Sequence, residues 1–155
     1  MSVRSAVGIT NNNSGQLGQQ VSLELASTFV IPAGSPQTGT FCQITLDAGV
    51  WAIEGSVACE VVNPANFTAG YSEFTIQESA SNQVISQATG TTATSGETFN
   101  GSSNIYLNMS AVVNITSQTS YDMAYAIDYT GGSFEIITDG AGTGATTILK
   151  ATRVA

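Results

Sequence analysis

In Trp51-Ala52-Ile53-Glu54-Gly55-Ser56-Val57-Ala58-Cys59-Glu60-Val61 the odd positions are apolar or glycine, and the even positions are alanine, serine or glutamate. Successive side chains of a β-strand point to opposite faces, so this stretch reads as a half-buried strand with Glu54 and Glu60 on its wet side. A second run has the same period. Tyr121, Met123, Tyr125, Ile127 and Tyr129 alternate with Asp122, Ala124, Ala126 and Asp128. Shorter strands read at 18–24, 27–31, 40–46, 71–78, 82–87, 104–109, 111–116, 133–138 and 146–154, separated by turns at 32–34, 47–49, 130–133 and 139–140. No segment carries the 3.6-residue apolar stripe of a helix, which removes the crossovers a parallel sheet needs. The pattern predicts an all-β fold, a jelly-roll β-sandwich of about 8–10 antiparallel strands. It places that domain at 17–155, after a weakly patterned N-terminal arm at 1–16.

Charge narrows the function. The 155 residues carry a net charge of −8 and only 9% charged residues, and between Arg4 and Lys150 there is neither lysine nor arginine. Nothing can therefore neutralise a run of phosphates, so nucleic acid and anionic membranes are excluded as partners. The absence of histidine removes Ser-His-Asp and Cys-His catalysis and the commonest metal ligand. No apolar run follows Met1, and none reaches the length of a membrane helix. Cys42 and Cys59 lie in alternating runs. A hairpin over 40–62 would hold them about four residues out of register, so they read as buried free thiols, suited to a reducing cytoplasm.

Carboxylates are the remaining acid–base groups. Glu54 with Glu60, or Asp122 with Asp128, would be a glycosidase-like pair, but residues six apart on one strand stand roughly 20 Å apart, beyond the ~5–10 Å such chemistry uses. These acids read as a solvated strand face. Gly140-Ala141-Gly142-Thr143-Gly144 lacks both the following helix and the adjacent lysine of a phosphate loop, so it reads as a turn. The Asp139-Gly140 turn matches no calcium-loop pattern. The sequons at Asn66, Asn108 and Asn114 are of the kind that arise by chance in a chain rich in Asn, Ser and Thr. Neither a catalytic residue, a metal nor a cofactor is expected. Trp51 and the 121–129 tyrosines are in phase with the core, which leaves Tyr71 and Tyr106 as free aromatics for a sugar.

Several C-terminal strands are apolar on both faces. In the neighbour pairs Val112/Val113, Ile136/Ile137 and Ile148/Leu149 one residue of each should point outward, and Val112, Ile137 and Leu149 are the candidates for a self-association surface.

The segment Ile44-Thr45-Leu46-Asp47-Ala48-Gly49-Val50-Trp51-Ala52-Ile53 resembles an I-x-L-x-x-G-x-W-x-I hairpin phrase of bacteriophage virion proteins. Ile115 through Tyr121 form a polar turn into a tyrosine-led strand, and Ala151-Thr152-Arg153-Val154 matches an Ala-x-Arg-aliphatic closing phrase. In this order, over about residues 40–155, they resemble the C1q/TNF-like jelly-roll domains of phage fibres and capsid-surface proteins. The resemblance implies a homotrimer without enzymatic activity on the virion exterior, assembled in the bacterial cytoplasm. No shaft or stalk is expected before the domain. The expectation is therefore a head-fibre or capsid-decoration protein, with Arg4 of the arm gripping the major capsid protein or another virion protein. A tail-fibre tip binding a host surface glycan is the alternative, and a secreted lectin-like module is the next.

Overall fold

The computed structural model describes residues 6–7, 16–62, 68–90, 103–131, 133–138 and 146–155; within these, the side chains at 6, 7, 35, 36, 62, 68–71, 90, 103 and 104 are outside the description. The described residues form two antiparallel sheets and no α-helix. One sheet has seven strands: β1 (Ala6–Val7), β2 (Gln20–Leu25), β3 (Phe29–Ile31), β5 (Gly49–Val62), β8 (Ser103–Ile115), β10 (Ser133–Ile136) and β11 (Ile148–Arg153). The other runs in the order β4 (Gly34–Leu46), β9 (Thr119–Thr130), β6 (Thr68–Glu78) and β7 (Val84–Gly90). Their inner faces close a single core, so the all-β sandwich read from the sequence is the fold observed.

The alternation in β5 explains how the sheets meet. Trp51, Ile53, Val57, Cys59 and Val61 are all buried, against Ile44 and Leu46 of β4, Phe74 and Ile76 of β6, and Met123, Tyr125 and Ile127 of β9. Phe41 and Phe74 meet edge to face at 6.2 Å between ring centroids. Tyr129 ties the layers together. Its hydroxyl donates to the carbonyl of Ile31 and accepts from the Phe134 N–H at 3.3 Å, joining β9 to β3 and β10.

β5 is the spine of the larger sheet. On one edge it pairs with β8 without a register break, from Gly49 opposite Ile115 to Val61 opposite Ser103. Its other edge is shared, with β11 along Trp51–Ser56 and β10 along Cys59–Val62. Thr147 fills the fork between them. Fully buried, its hydroxyl accepts from the Ala58 N–H at 3.0 Å and donates to the Ile137 carbonyl at 2.8 Å. Thr147→Val keeps the shape and leaves those two backbone groups short of a partner, an expected loss of about 1–2 kcal/mol in urea unfolding. A variant as stable as the wild type would mean the fork is held by packing alone.

Four expectations change. Residues 40–62 are not a hairpin: β4 and β5 belong to different sheets, and the Asp47–Gly49 turn is a corner between layers. The segments 104–109 and 111–116 are one strand, because Ser110 lies in phase on the wet face with Asn108, Val112 and Asn114. Ile137 and Leu149 are buried, so they do not line a surface of this chain. Leu149 points inward in phase from β11. Ile137 follows the end of β10, where the chain leaves the strand and its N–H donates to the Ala58 carbonyl at 2.9 Å. Within the expected arm, Ala6–Val7 pairs with Leu25 and Glu24 of β2; Arg4 is outside the described residues.

Candidate functional surfaces

Each outward face is formed by the residues that alternate with a core row. On the larger sheet, Ala52, Glu54, Ser56, Ala58 and Glu60 of β5 lie between Val112, Ser110, Asn108 and Tyr106 of β8 and Thr152, Lys150 and Ile148 of β11. Lys150 Nζ reaches Glu54 Oε2 at 2.6 Å, but both side chains are half exposed, so the pair contributes at most about 1 kcal/mol. Glu60 stands directly opposite Glu135 of β10. Among the described residues this is the only acidic cross-strand pair of that face, and like charges so placed repel each other. Glu24 of β2, opposite Ile148, is a further exposed acid of this face, and Tyr106 and Val112 are 53% and 71% exposed.

On the smaller sheet the central strand is narrow. Ala124 and Ala126 of β9 form the floor of a shallow trough of about 300 Å³, with Thr38 and Thr40 of β4 on one side and Glu73, Thr75 and Gln77 of β6 on the other. At the end of this face Gln43 Nε2 donates to Asp122 Oδ1 at 2.7 Å and to Ser79 Oγ at 3.2 Å. This fixes a nearly buried carboxylate. Beyond it Glu78, Ser79 and Ala80 face Ser117 through Ser120 across a second hollow of about 430 Å³. Hydroxyls, amides and a few carboxylates make both hollows hydrogen-bonding surfaces. Among the described residues no three His, Cys, Asp or Glu side chains come together in a group able to hold a metal ion.

The corner between β4 and β5 assembles residues that are far apart in sequence. Trp51 is fully buried, and its indole N–H donates to the Asp47 carbonyl at 2.8 Å. The Arg153 guanidinium lies 5.9 Å from the Trp51 ring centroid, within cation–π reach. Gly49 has φ 151°, and a Cβ there would stand 2.9 Å from the Arg153 guanidinium carbon, so both backbone and space call for glycine. The end of the chain is laced onto the same corner, with Val50 donating to Ala155 at 2.9 Å and Val154 donating to Val50 at 2.8 Å.

The acids singled out in the sequence remain dispersed. Glu54 is salt-bridged on the outer face of the larger sheet, and Asp122 is hydrogen-bonded on that of the smaller. Of the aromatics, Trp51, Tyr121, Tyr125 and Tyr129 are buried and Tyr106 is exposed, while the side chain of Tyr71 is outside the description. The glycine loop at 140–144, the Asp139-Gly140 turn and Asn66 also lie outside the described residues. Cys42 and Cys59 are buried free thiols. Sequence reading missed the Arg153–Trp51 stack and the Thr147 fork, since both depend on where β11 inserts.

No protein-family model matches the chain, and no curated protein matches it. Among solved structures it is similar to that of infectious bursal disease virus Gx strain, at 14% identity over 99% of this chain and 42% of that one, with a TM-score of 0.46. The Gt strain structure gives 15% identity over 97% and 43%, with a TM-score of 0.46. The VP2 subviral particle of the same virus gives 13% over 97% and 42%, with a TM-score of 0.42. This chain thus spans less than half the length of each, and likeness of this size transfers no function.

Proposed function

We propose that this chain is a non-enzymatic structural protein of a virion, a trimeric head-fibre or capsid-decoration protein on the outside of a bacteriophage particle. The observation that supports the reading is the corner just described. Gly49 and Trp51 of the I-x-L-x-x-G-x-W-x-I phrase meet Arg153 of the Ala-x-Arg-aliphatic phrase in one packed unit. The two phrases on which the resemblance to phage C1q/TNF-like domains rests thereby act together, as parts of one fold signature would. Outer faces of Thr, Ser, Asn, Gln and Ala suit a protein crowded against its neighbours, because they desolvate at lower cost than charged ones. The arm, through Arg4, grips an acidic site on the major capsid protein or another virion protein.

The test is incorporation into particles. The full chain is expected on intact particles, accessible to antibody. Deletion of residues 2–16 is expected to leave a folded protein that no longer joins them; undiminished incorporation would reject attachment through the arm. Light scattering should give about 48 kDa for three 15.9 kDa chains, or a multiple of that mass, and a monomer would reject the trimer. A second reading, a tail-fibre tip that binds a host glycan, is favoured by Tyr106, which is exposed on the outer face of the larger sheet. It predicts adsorption of the isolated protein to bacterial cells.

A further inference from the structure

Sheet edges are templates for pairing, and proteins normally guard them with shortness, lysine, proline or a bulge. Most edges here are guarded. β3 has three residues and β1 two. β4 carries Pro36 and two register breaks, and β7 has seven residues and a bulge at Ile85. β8 differs on every count. It runs for 13 residues, contains no charge, proline or glycine, and pairs with β5 without a break. Among the described residues no strand pairs with its other edge, although β7 of the opposite sheet passes close to β8. Ile105, Leu107 and Val113, which face the core, are only partly buried at this open edge.

We propose that a second copy of this chain pairs antiparallel along the free edge of β8, about a two-fold axis perpendicular to the sheet at Met109. The partner is chosen by the sequence of β8 itself, which is nearly palindromic in polarity about that residue. With Met109 opposite its own copy, Asn108 faces Ser110 on the outer surface, and Tyr106 faces Val112, twice. These two are the exposed large apolar residues of β8, and each covers the other. On the inner side Ile105 meets Val113 and Leu107 meets Ala111, continuing the core across the junction. Moving the axis to Ser110 sets Tyr106 against Asn114 and Val112 against Asn108. Moving it to Asn108 sets Tyr106 against Ser110. A half-step register would bring the inner row of one chain beside the outer row of the other. Of these registers the Met109 one alone matches like with like on both faces. The contact goes beyond the virion reading and does not depend on it: it joins two chains, whether these are free or belong to neighbouring trimers.

The test is a register-specific cross-link. Directly opposed antiparallel residues stand about 4.5–5.5 Å apart at Cα, inside the range of a disulfide, whereas diagonal ones are about 7–8 Å apart and outside it. Asn108 and Ser110 are exposed, so the double variant Asn108→Cys/Ser110→Cys keeps the core intact. The native thiols are silent, because burial pushes Cys42 up to about 12 and raises Cys59 as well. After mild oxidation, a non-reducing denaturing gel is expected to show mainly linked pairs for the double variant. Each single variant should stay mostly unlinked, and Val112→Lys in the double background should lower the linked fraction several-fold. A double variant that remains single-chain, single variants that link as readily, or a link indifferent to Val112→Lys would each overturn the proposal. Failure here leaves particle incorporation untouched, and loss of incorporation leaves the cross-link untouched.

Discussion

Replacing Trp51 with alanine is expected to lower the unfolding free energy by about 3–5 kcal/mol, the range for removing a fully buried large aromatic. Trp51 is 0% exposed and lies where four segments meet: its own strand, the Asp47 turn, Val113 of β8 and Arg153 of β11. The substitution leaves a cavity, frees the Asp47 carbonyl of its indole partner and removes the ring beneath the guanidinium. Domains of this kind are stable by only about 5–15 kcal/mol, so the effect is a large share of the total. Trp51 is the sole tryptophan, so urea unfolding of the variant must be followed by circular dichroism rather than indole fluorescence. Trp51→Phe keeps most of the volume and should recover more than half of the loss. A cost below about 1 kcal/mol for the alanine would contradict the packing of the corner.

The second large effect is expected from adding volume. Gly55 occupies an inward position of β5 between Ile53 and Val57, and a Cβ there would stand 2.8 Å from Met123 Sδ and 3.2 Å from Ile76 Cδ1. The close approach of the two sheets at this level depends on the missing side chain. Gly55→Val is expected to cost about 3 kcal/mol, the upper end of ordinary overpacking, because Met123 can swing aside but the branched Ile76 cannot. Gly55→Ala should cost clearly less. Met123→Ala in the Gly55→Val background should restore part of the stability, and strict additivity of the two changes would show that they do not share this space.

How much of this could be read from sequence depended on phase. β5 and β9 were legible because each keeps strict alternation through its length, with the core row buried in both, although Ala58, Asp122 and Ala124 of the opposite rows are covered as well. β8 was read as two strands because Ser110 interrupts an apolar run, although a polar residue at an even position is what its wet face needs. The corner at Asp47–Gly49 was read as a hairpin because a turn flanked by two strands looks alike whether the strands pair or diverge. What separates the cases is the choice of partner, and β5 pairs with residues 103–115, far along the chain. Ile137 was misplaced for a related reason: alternation ceases to assign faces where a strand ends, and the fork at Thr147 fixes that end. The candidate surfaces were the least legible part. A trough arises from alanines on a middle strand flanked by longer side chains, and an open edge arises from the absence of a neighbour, so both are facts of strand order.

The insertion of β11 between β2 and β5 also bears on how the protein comes into being. The strand that fills the middle of the larger sheet is the last to be synthesised of the eleven among the described residues. Until residues 148–153 have left the ribosome, β2 and the first half of β5 have no partner on their facing edges, and Val21, Leu23 and Ile53 lack part of their cover. At ordinary translation rates that interval is on the order of ten seconds, long compared with hydrophobic collapse. The nascent chain must therefore pass through a stage with two open edges in the middle of its future sheet. Closure by a distant segment makes the final step a slow, non-local one. Production of this protein should accordingly be governed by what shields the unfinished chain during that wait, more than by the stability of the sandwich once β11 has locked it.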